Sequence, residues 1–148
     1  MATYTSNLNL KKPAASDTVS IADINDNMDT IDSAVAALSP VLLWTNSDTS
    51  ADFAAQTVSL SLSAYSMVRV EYLLKTGYVG RAVHEHVKGF MNVAFGLYPG
   101  SPFVQTTREV LVSATGVQFY AGYVTTSGGA ACTANNTYMV PYRIYGIK

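Results

Sequence analysis

The stretch Ser20–Leu38, SIADINDNMDTIDSAVAAL, decides the architecture of this chain. Its large apolar residues are spaced alternately three and four positions apart, which is the a/d pattern of a heptad repeat. Aspartate and asparagine occupy many of the positions between them, so a helix here carries one narrow apolar stripe that must be buried against another surface. We expect the stripe to join copies of the chain through Ile21, Ile24, Met28, Ile31, Val35 and Leu38.

Isoleucine at the d positions Ile24 and Ile31 favours a three-stranded over a two-stranded coiled coil. The alternative is an amphipathic helix packed on its own domain, because the run spans only about two and a half heptads. Ser20 followed by Asp23 is a short capping-box pattern and predicts a helix start near Ile21. Ser39-Pro40 predicts its end.

The composition limits the possible partners and compartments. Hydrophobic residues make up 49% of the 148 residues and charged residues only 13%, which suits one globular domain with an appendage or two very small units. Nine Lys and Arg, with no cluster larger than Lys11-Lys12, disfavour nucleic-acid binding. The single cysteine, Cys132, fits folding in a reducing cytoplasm. We expect no signal peptide and no membrane insertion, since no apolar run is long enough.

The residues before the helix predict an arm. Residues 1–16, MATYTSNLNLKKPAAS, are polar with isolated apolar side chains, so we expect an extended segment that is disordered alone and pairs with a partner. This gives three predicted regions: an arm over 1–19, a coiled-coil helix over 20–39 and a β domain over 40–148.

After Pro40 the hydrophobic period changes to two, and seven or eight short strands separated by turn residues follow. The fold class is therefore mainly β, an antiparallel β-sandwich or jelly roll. Pro141 within the last run predicts an edge strand or a bulge. In the run that contains His84-Glu85-His86, we expect Val83 and Val87 to face the core and the histidines to face solvent.

The first forty residues carry a family resemblance. NLNLKKP, then SDTVSIADIN-x-N, then MDTIDSAV resembles the N-terminal attachment segment of tail and baseplate proteins from phages of Gram-positive bacteria. LWTNSDTSADFAAQTVSLSLSAYSMVRVEY and the ending VPYRIYGIK are similar in style to the small β heads of phage fibre and receptor-binding proteins. The resemblance implies a homotrimeric virion protein, assembled in the host cytoplasm, whose residues 1–19 bind another virion structural protein. A capsid or tail decoration fibre is the alternative.

One spacing is typical of a metal site. On a strand, His84 and His86 project from the same face, so both imidazoles can reach one ion. Three such pairs meeting on an axis would supply six ligands, an arrangement that resembles the HxH motifs of some phage fibres. The alternative is a solvated face of a strand, and no cofactor is otherwise expected.

Aromatic residues near turns are candidate ligand-binding residues. Tyr78, Tyr98 and Phe103 could stack on the apolar faces of host-surface saccharides. The alternative is that they pack in a trimer interface or on their own domain. No nucleophile elbow, phosphate loop or Cys/His pair is present in the sequence, so we expect a protein that is not an enzyme. Two functions remain: a receptor-binding module for surface glycan, and a purely structural fibre or decoration protein.

Overall fold

A computed structural model describes residues 3–18, 20–76, 78–97, 104–126 and 132–148 of the 148-residue chain. The chain divides into two compact units, Met1–Ser39 and Pro40–Lys148. The first contains strands β1 (Thr3–Tyr4) and β2 (Lys11–Lys12) and helix α1 (Ile21–Leu38). The second contains β strands only among its described residues.

The segment before α1 folds back on itself and differs from the extended arm expected from its polarity. β1 pairs with β2 in an antiparallel ladder, and the Thr5 N–H donates to the Leu10 carbonyl at 2.9 Å. Asn9 lies in the left-handed region at φ 53°, a conformation that asparagine tolerates better than most residues. This turn chemistry, rather than apolar burial, closes the hairpin.

Helix α1 begins and ends where the sequence indicates. It runs from Ile21 to Leu38, and the Ser39 N–H at its C-terminus donates to the Ala36 carbonyl at 3.1 Å before Pro40 stops the chain from continuing as helix. The expected capping box does not form, because the Ser20 side chain makes no capping hydrogen bond and Asp23 pairs with Lys11 instead.

In the described part of the second unit, nine strands form two antiparallel sheets. Sheet I has the order β3-β11-β5-β6, and sheet II has the order β10-β9-β8-β7, with β4 also paired to β9. The strands are β3 (Val41–Thr45), β4 (Gln56–Ser59), β5 (Met67–Thr76), β6 (Tyr78–Val87), β7 (Gly89–Leu97), β8 (Val104–Ser113), β9 (Gly116–Thr126), β10 (Thr133–Ala134) and β11 (Met139–Ile147).

The predicted mainly β, antiparallel architecture is confirmed. Consecutive strands pair as hairpins in β5-β6, β7-β8 and β8-β9, so the connections fit a sandwich-like pair of sheets, and a jelly roll is not confirmed. The chain passes from sheet I to sheet II at Gly89, whose φ of 129° is open to glycine but strained for other residues.

The core lies between the two sheets and follows the period-two pattern of the sequence. Val68, Val70 and Tyr72 of β5 are fully buried, as are Val110 and Phe119 of β8 and β9. Phe119 contacts both Phe53 and Tyr72 edge-on, with ring centroids 5.4 and 6.5 Å apart. The two sheets therefore share one aromatic-centred core.

Pro141 sits in a bulge, as expected, but not at a sheet edge. β11 is a central strand between β3 and β5, and its register shifts between Pro141 and Arg143. The residue that the bulge leaves without a partner in β5 is Tyr142, whereas Pro141 beside it lies opposite Tyr72. On the other side of β11 the pairing with β3 begins only at Arg143, so no ladder bond of β3 requires the N–H that proline lacks.

Candidate functional site

The apolar stripe of α1 is the clearest unpartnered surface of the first unit. No residue of the helix is buried, and the exposed fractions of its a/d side chains run from 42% at Ile31 to 76% at Ile21. All six side chains of the predicted stripe are among the exposed large hydrophobic residues: Ile21, Ile24, Met28, Ile31, Val35 and Leu38. A contiguous stripe of this kind marks an interaction surface more often than an ordinary solvated face.

The N-terminal hairpin contacts a different, polar face of the helix. Lys11 of β2 pairs through its Nζ with the Asp23 carboxylate at 2.6 Å. The Asn27 side chain, one turn further along, exchanges two hydrogen bonds of 2.9 Å with the Lys11 backbone. Asp23 and Asn27 occupy c and g positions of the heptad, so the hairpin is bound beside the a/d stripe and not across it.

The Lys11–Asp23 pair also has an electrostatic signature. The hydrogen bond to Asp23 is the largest cause that raises the pKa of the Lys11 ammonium, and the charge of Asp23 adds to it. A cleft of about 320 Å³ lies between the hairpin and α1 and is lined by Tyr4, Asn9, Lys11, Asp23, Asp26, Asn27 and Thr30. Its lining is polar, and the ion pair at its side holds the hairpin against the helix.

In the second unit the faces of β6 are reversed from the expectation. His86 is fully buried and His84 is partly buried, whereas Val83 and Val87 are 53% and 54% exposed. The cause is the hairpin register, which places His86 opposite Val68 and His84 opposite Val70. Residues directly opposite each other in an antiparallel pair share a face, so the inward face of β5 forces the histidines inward.

The buried histidine belongs to a polar cluster inside the core. The Tyr72 hydroxyl lies 3.3 Å from His86 Nε2, and the rings of His84 and His86 are 4.6 Å apart. Burial, and secondly the charge of His84, lower the pKa of His86 to about 4. Burial raises the pKa of Tyr72, partly offset by Arg108, so its hydroxyl stays protonated.

Arg108 is the residue of this cluster that sequence reasoning missed. It is fully buried, and its guanidinium donates to the Tyr120 carbonyl at 2.7 Å and to the Phe53 carbonyl at 2.9 Å. Burial lowers its pKa to about 10, which leaves the group charged at neutral pH. The sequence offered one indication: Arg108 lies two and four residues before Val110 and Val112, on the same side of the strand as these buried valines. The residue type itself indicated the opposite, because arginine is seldom buried.

The burial of His86 is not compatible with the metal ion that the HxH spacing suggested on an axis shared by three chains. His86 has no exposed surface, so three copies of His84 and His86 cannot meet one ion between chains. Among the described residues, no group of three or more His, Cys, Asp or Glu side chains is arranged to hold a metal ion. The solvated-face interpretation is also wrong, because the pair faces the core.

The three aromatic candidates are placed as follows. Tyr98 and Phe103 lie outside the described residues, and Tyr78 begins β6 but its side chain lies outside them as well. Within the second unit, the described residues include an exposed aromatic ring on sheet II, where Phe90 is 58% exposed and meets Tyr120 edge-on at 5.8 Å. Phe90 and buried Val93 are three residues apart on β7, so their side chains lie on opposite faces of the sheet. This spacing could have indicated from the sequence that Phe90 faces outward.

The carboxylates of the second unit are spread over both sheets and their loops. Glu85 is paired with Arg69 at 2.7 Å, and the Thr137 hydroxyl donates to Asp52 at 2.6 Å. The five are Asp48, Asp52, Glu71, Glu85 and Glu109. Their described contacts are local and structural, and the expectation that the protein is not an enzyme stays a prediction.

Within the described ranges, no helix is both long and apolar enough to cross a membrane. Comparison with protein-family models, with curated proteins and with solved structures finds no match to this chain.

Proposed function

We propose that this chain is a self-associating fibre subunit in which α1 joins copies and the β unit is displayed. The observation that carries the proposal is the a/d stripe of α1, which is exposed along its whole length while the hairpin binds a polar face of the same helix. An isolated helix of 18 residues with several Asp and Asn is marginal in water, so burying the stripe between copies supplies the stability that it lacks.

The proposed assembly is a parallel trimer. Ile24 and Ile31 at successive d positions and Ile21 at an a position favour three strands. The a/d stripe remains accessible beside the Lys11–Asp23 pair, so three helices can pack along it with their hairpins on the outside.

The resemblance of the first forty residues to phage attachment segments supports placing this fibre in a virion. In that role residues 1–19 bind another virion structural protein and the β unit points away from the particle. The polar hairpin is suited to such a contact at β1, whose outer edge carries no further described strand, whereas Asn27 already bonds the backbone of β2 at Lys11.

Receptor binding is a second part of the proposal, and one observation favours it over a purely structural fibre. Exposed Phe90 and partly exposed Tyr120 form an aromatic pair on sheet II. Exposed Asn92 lies two residues after Phe90 on β7, and partly exposed Gln118 lies two residues before Tyr120 on β9. Aromatic rings beside amide groups are suited to the apolar faces and hydroxyls of a saccharide. We place the candidate surface here rather than on the loops.

Light scattering of the purified full chain tests self-association. The expected mass is three times the 15.8 kDa of one chain. Ile24→Asp combined with Ile31→Asp should give a monomer, because the trimer would bury three carboxylates in each of two layers. The matched control adds the same charges outside the stripe, as Ala22→Asp with Ser33→Asp, and should remain trimeric. A wild-type monomer at micromolar concentration would overturn the proposal.

Adsorption of the full chain to host cells tests receptor binding separately. Phe90→Ala with Tyr120→Ala should reduce adsorption strongly, because three weak sites act together through avidity. Tyr4→Ala, which removes an exposed ring from the other unit, is the control. Equal adsorption of all three proteins would favour the purely structural fibre, and release of soluble oligosaccharide would identify an enzyme.

A further inference from the structure

Strand β6 presents its apolar side chains to solvent and its imidazoles to the core. Val83 and Val87 are more than half exposed, and His86 is fully buried. The Nδ1 atoms of His84 and His86 are both buried without a hydrogen-bond partner among the described residues. In this respect β6 is the reverse of a usual surface strand, which places valine inside and histidine outside.

This orientation is costly in the single chain. A buried polar atom without a hydrogen-bond partner lowers the stability of the folded chain, and a valine left in water contributes no burial to it. A slip of one residue would exchange the two faces, but ten consecutive residue pairs with β5 hold the register. The exposed valines are therefore a stable feature of the folded unit.

The surroundings of the valines make a neutral surface, which we call the β6 face and define as Met67, Arg69, Val83, Glu85 and Val87. Arg69 and Glu85 lie directly opposite each other in the sheet and form an ion pair of 2.7 Å between the two valines. Met67 lies opposite Val87 and is partly exposed. Glu71 lies opposite Val83 and 4.0 Å from Arg143, so the face is apolar only at its Met67–Val87 end. The charges on and beside it are paired with one another, as suits a protein interface better than a charged ligand.

We propose that the β6 face packs against the β unit of a neighbouring copy once α1 has joined the chains. This inference rests on the proposed self-association. Only Ser39 and Pro40 separate α1 from β3, so joining the helices tethers the β units to one another at an effective concentration of order millimolar. At that concentration a weak apolar contact between copies is formed, whereas a free partner in solution has no such advantage.

Cysteine accessibility in the full chain tests the proposal, with Cys132→Ser as the background because Cys132 is exposed. Val87→Cys is compared with Asn92→Cys, an exposed strand position on sheet II. In the assembled protein we expect a maleimide to modify Val87→Cys about tenfold more slowly, because a packed interface excludes the reagent. Adding Ile24→Asp and Ile31→Asp should bring the two rates together.

A second pair of variants guards against a folding defect in the cysteine protein. Val83→Thr with Val87→Thr keeps the β-branched shape and should lower the melting temperature of the assembled protein but not that of the Ile24→Asp, Ile31→Asp monomer. Equal labelling rates in a protein that light scattering shows to be trimeric would overturn the β6-face interface and leave the proposed function intact. A monomeric wild type would overturn both. Protection of Val87→Cys that persists in the monomer would show that its own chain covers the face, and would also overturn the inference.

Discussion

The side-chain amide of Asn27 pairs with the backbone of Lys11 in both directions. Its Oδ1 accepts the Lys11 N–H at 2.9 Å, and its Nδ2 donates to the Lys11 carbonyl at 2.9 Å. The amide thus acts as a further peptide group for β2 and fastens the hairpin to a helix 16 residues away in sequence. This contact and the Lys11–Asp23 ion pair, rather than apolar burial, hold the hairpin against the helix.

Asn27→Ala should release the hairpin without weakening α1. The substitution removes both hydrogen bonds, yet alanine is the better helix former, so helical circular dichroism should not fall. We expect the Lys11 amide to exchange about tenfold faster, since each bond contributes about 1 kcal/mol. Asn25→Ala on the same helix is the control. Unchanged exchange in Asn27→Ala would mean that the ion pair of Lys11 with Asp23 suffices.

Stability of the β unit should fall with acidity between about pH 6.5 and pH 4. The pKa of His86 is lowered by burial to about 4 in the folded chain, against 6.5 when unfolded, so the unfolded state binds the proton first as the pH falls. The contribution of neutral, buried His86 to the free energy of unfolding is therefore undiminished above about pH 6.5. It falls by about 3 kcal/mol as the pH is lowered to about 4.

Urea unfolding followed through this window measures the effect. His86→Leu removes the titrating group and should flatten the dependence of stability on pH between 6.5 and 4, whatever its effect on absolute stability. If the free energy of unfolding of the wild type does not change between pH 6.5 and 4, the pKa of His86 is not lowered in the folded protein.

Arg108→Met should destabilise the β unit by about 2 kcal/mol, because the carbonyls of Phe53 and Tyr120 lose a charge-assisted donor. The substitution also removes the cost of burying the charged guanidinium, but this gain offsets only part of the loss. Arg108→Lys should not restore stability, since one ammonium lacks the planar fork that serves both carbonyls. Exposed Lys88→Met is the control, and the free energy of unfolding in urea is the measurement. A more stable Arg108→Met protein would show that the burial of charge outweighs the two bonds.

Gly122→Ala should destabilise the same unit, because a Cβ there would collide with the backbone oxygen of Asn135 and lie 2.9 Å from an Arg108 nitrogen. Gly80→Ala is the matched control, since nothing lies within 4 Å of its added Cβ. We expect a loss of about 2 kcal/mol for the first and a change near zero for the second, both from thermal unfolding. Equal effects would mean that the loop carrying Asn135 moves aside at little cost.

Local patterns were sufficient for several features of this protein. The a/d spacing and Ser39-Pro40 fix the extent of α1 because helix periodicity and termination depend on neighbouring residues. The alternation of Val68, Val70 and Tyr72 likewise identifies β5 and its buried face, and a proline at 141 signals the bulge. The change of hydrophobic period to two after Pro40 is enough to indicate that the rest of the chain is mainly β.

Tertiary structure decided what depends on distant partners. Alternation defines two faces of β6 but not which one is inward; pairing with β5 decides that, and it places His86 in the core and Val83 in solvent. Arg108 is buried because carbonyls from a loop and a bulge converge on it, an arrangement that no local spacing encodes. The sequence by itself determined which residues form the elements; long-range register and hydrogen bonding determined which side chains are buried and which surfaces remain exposed.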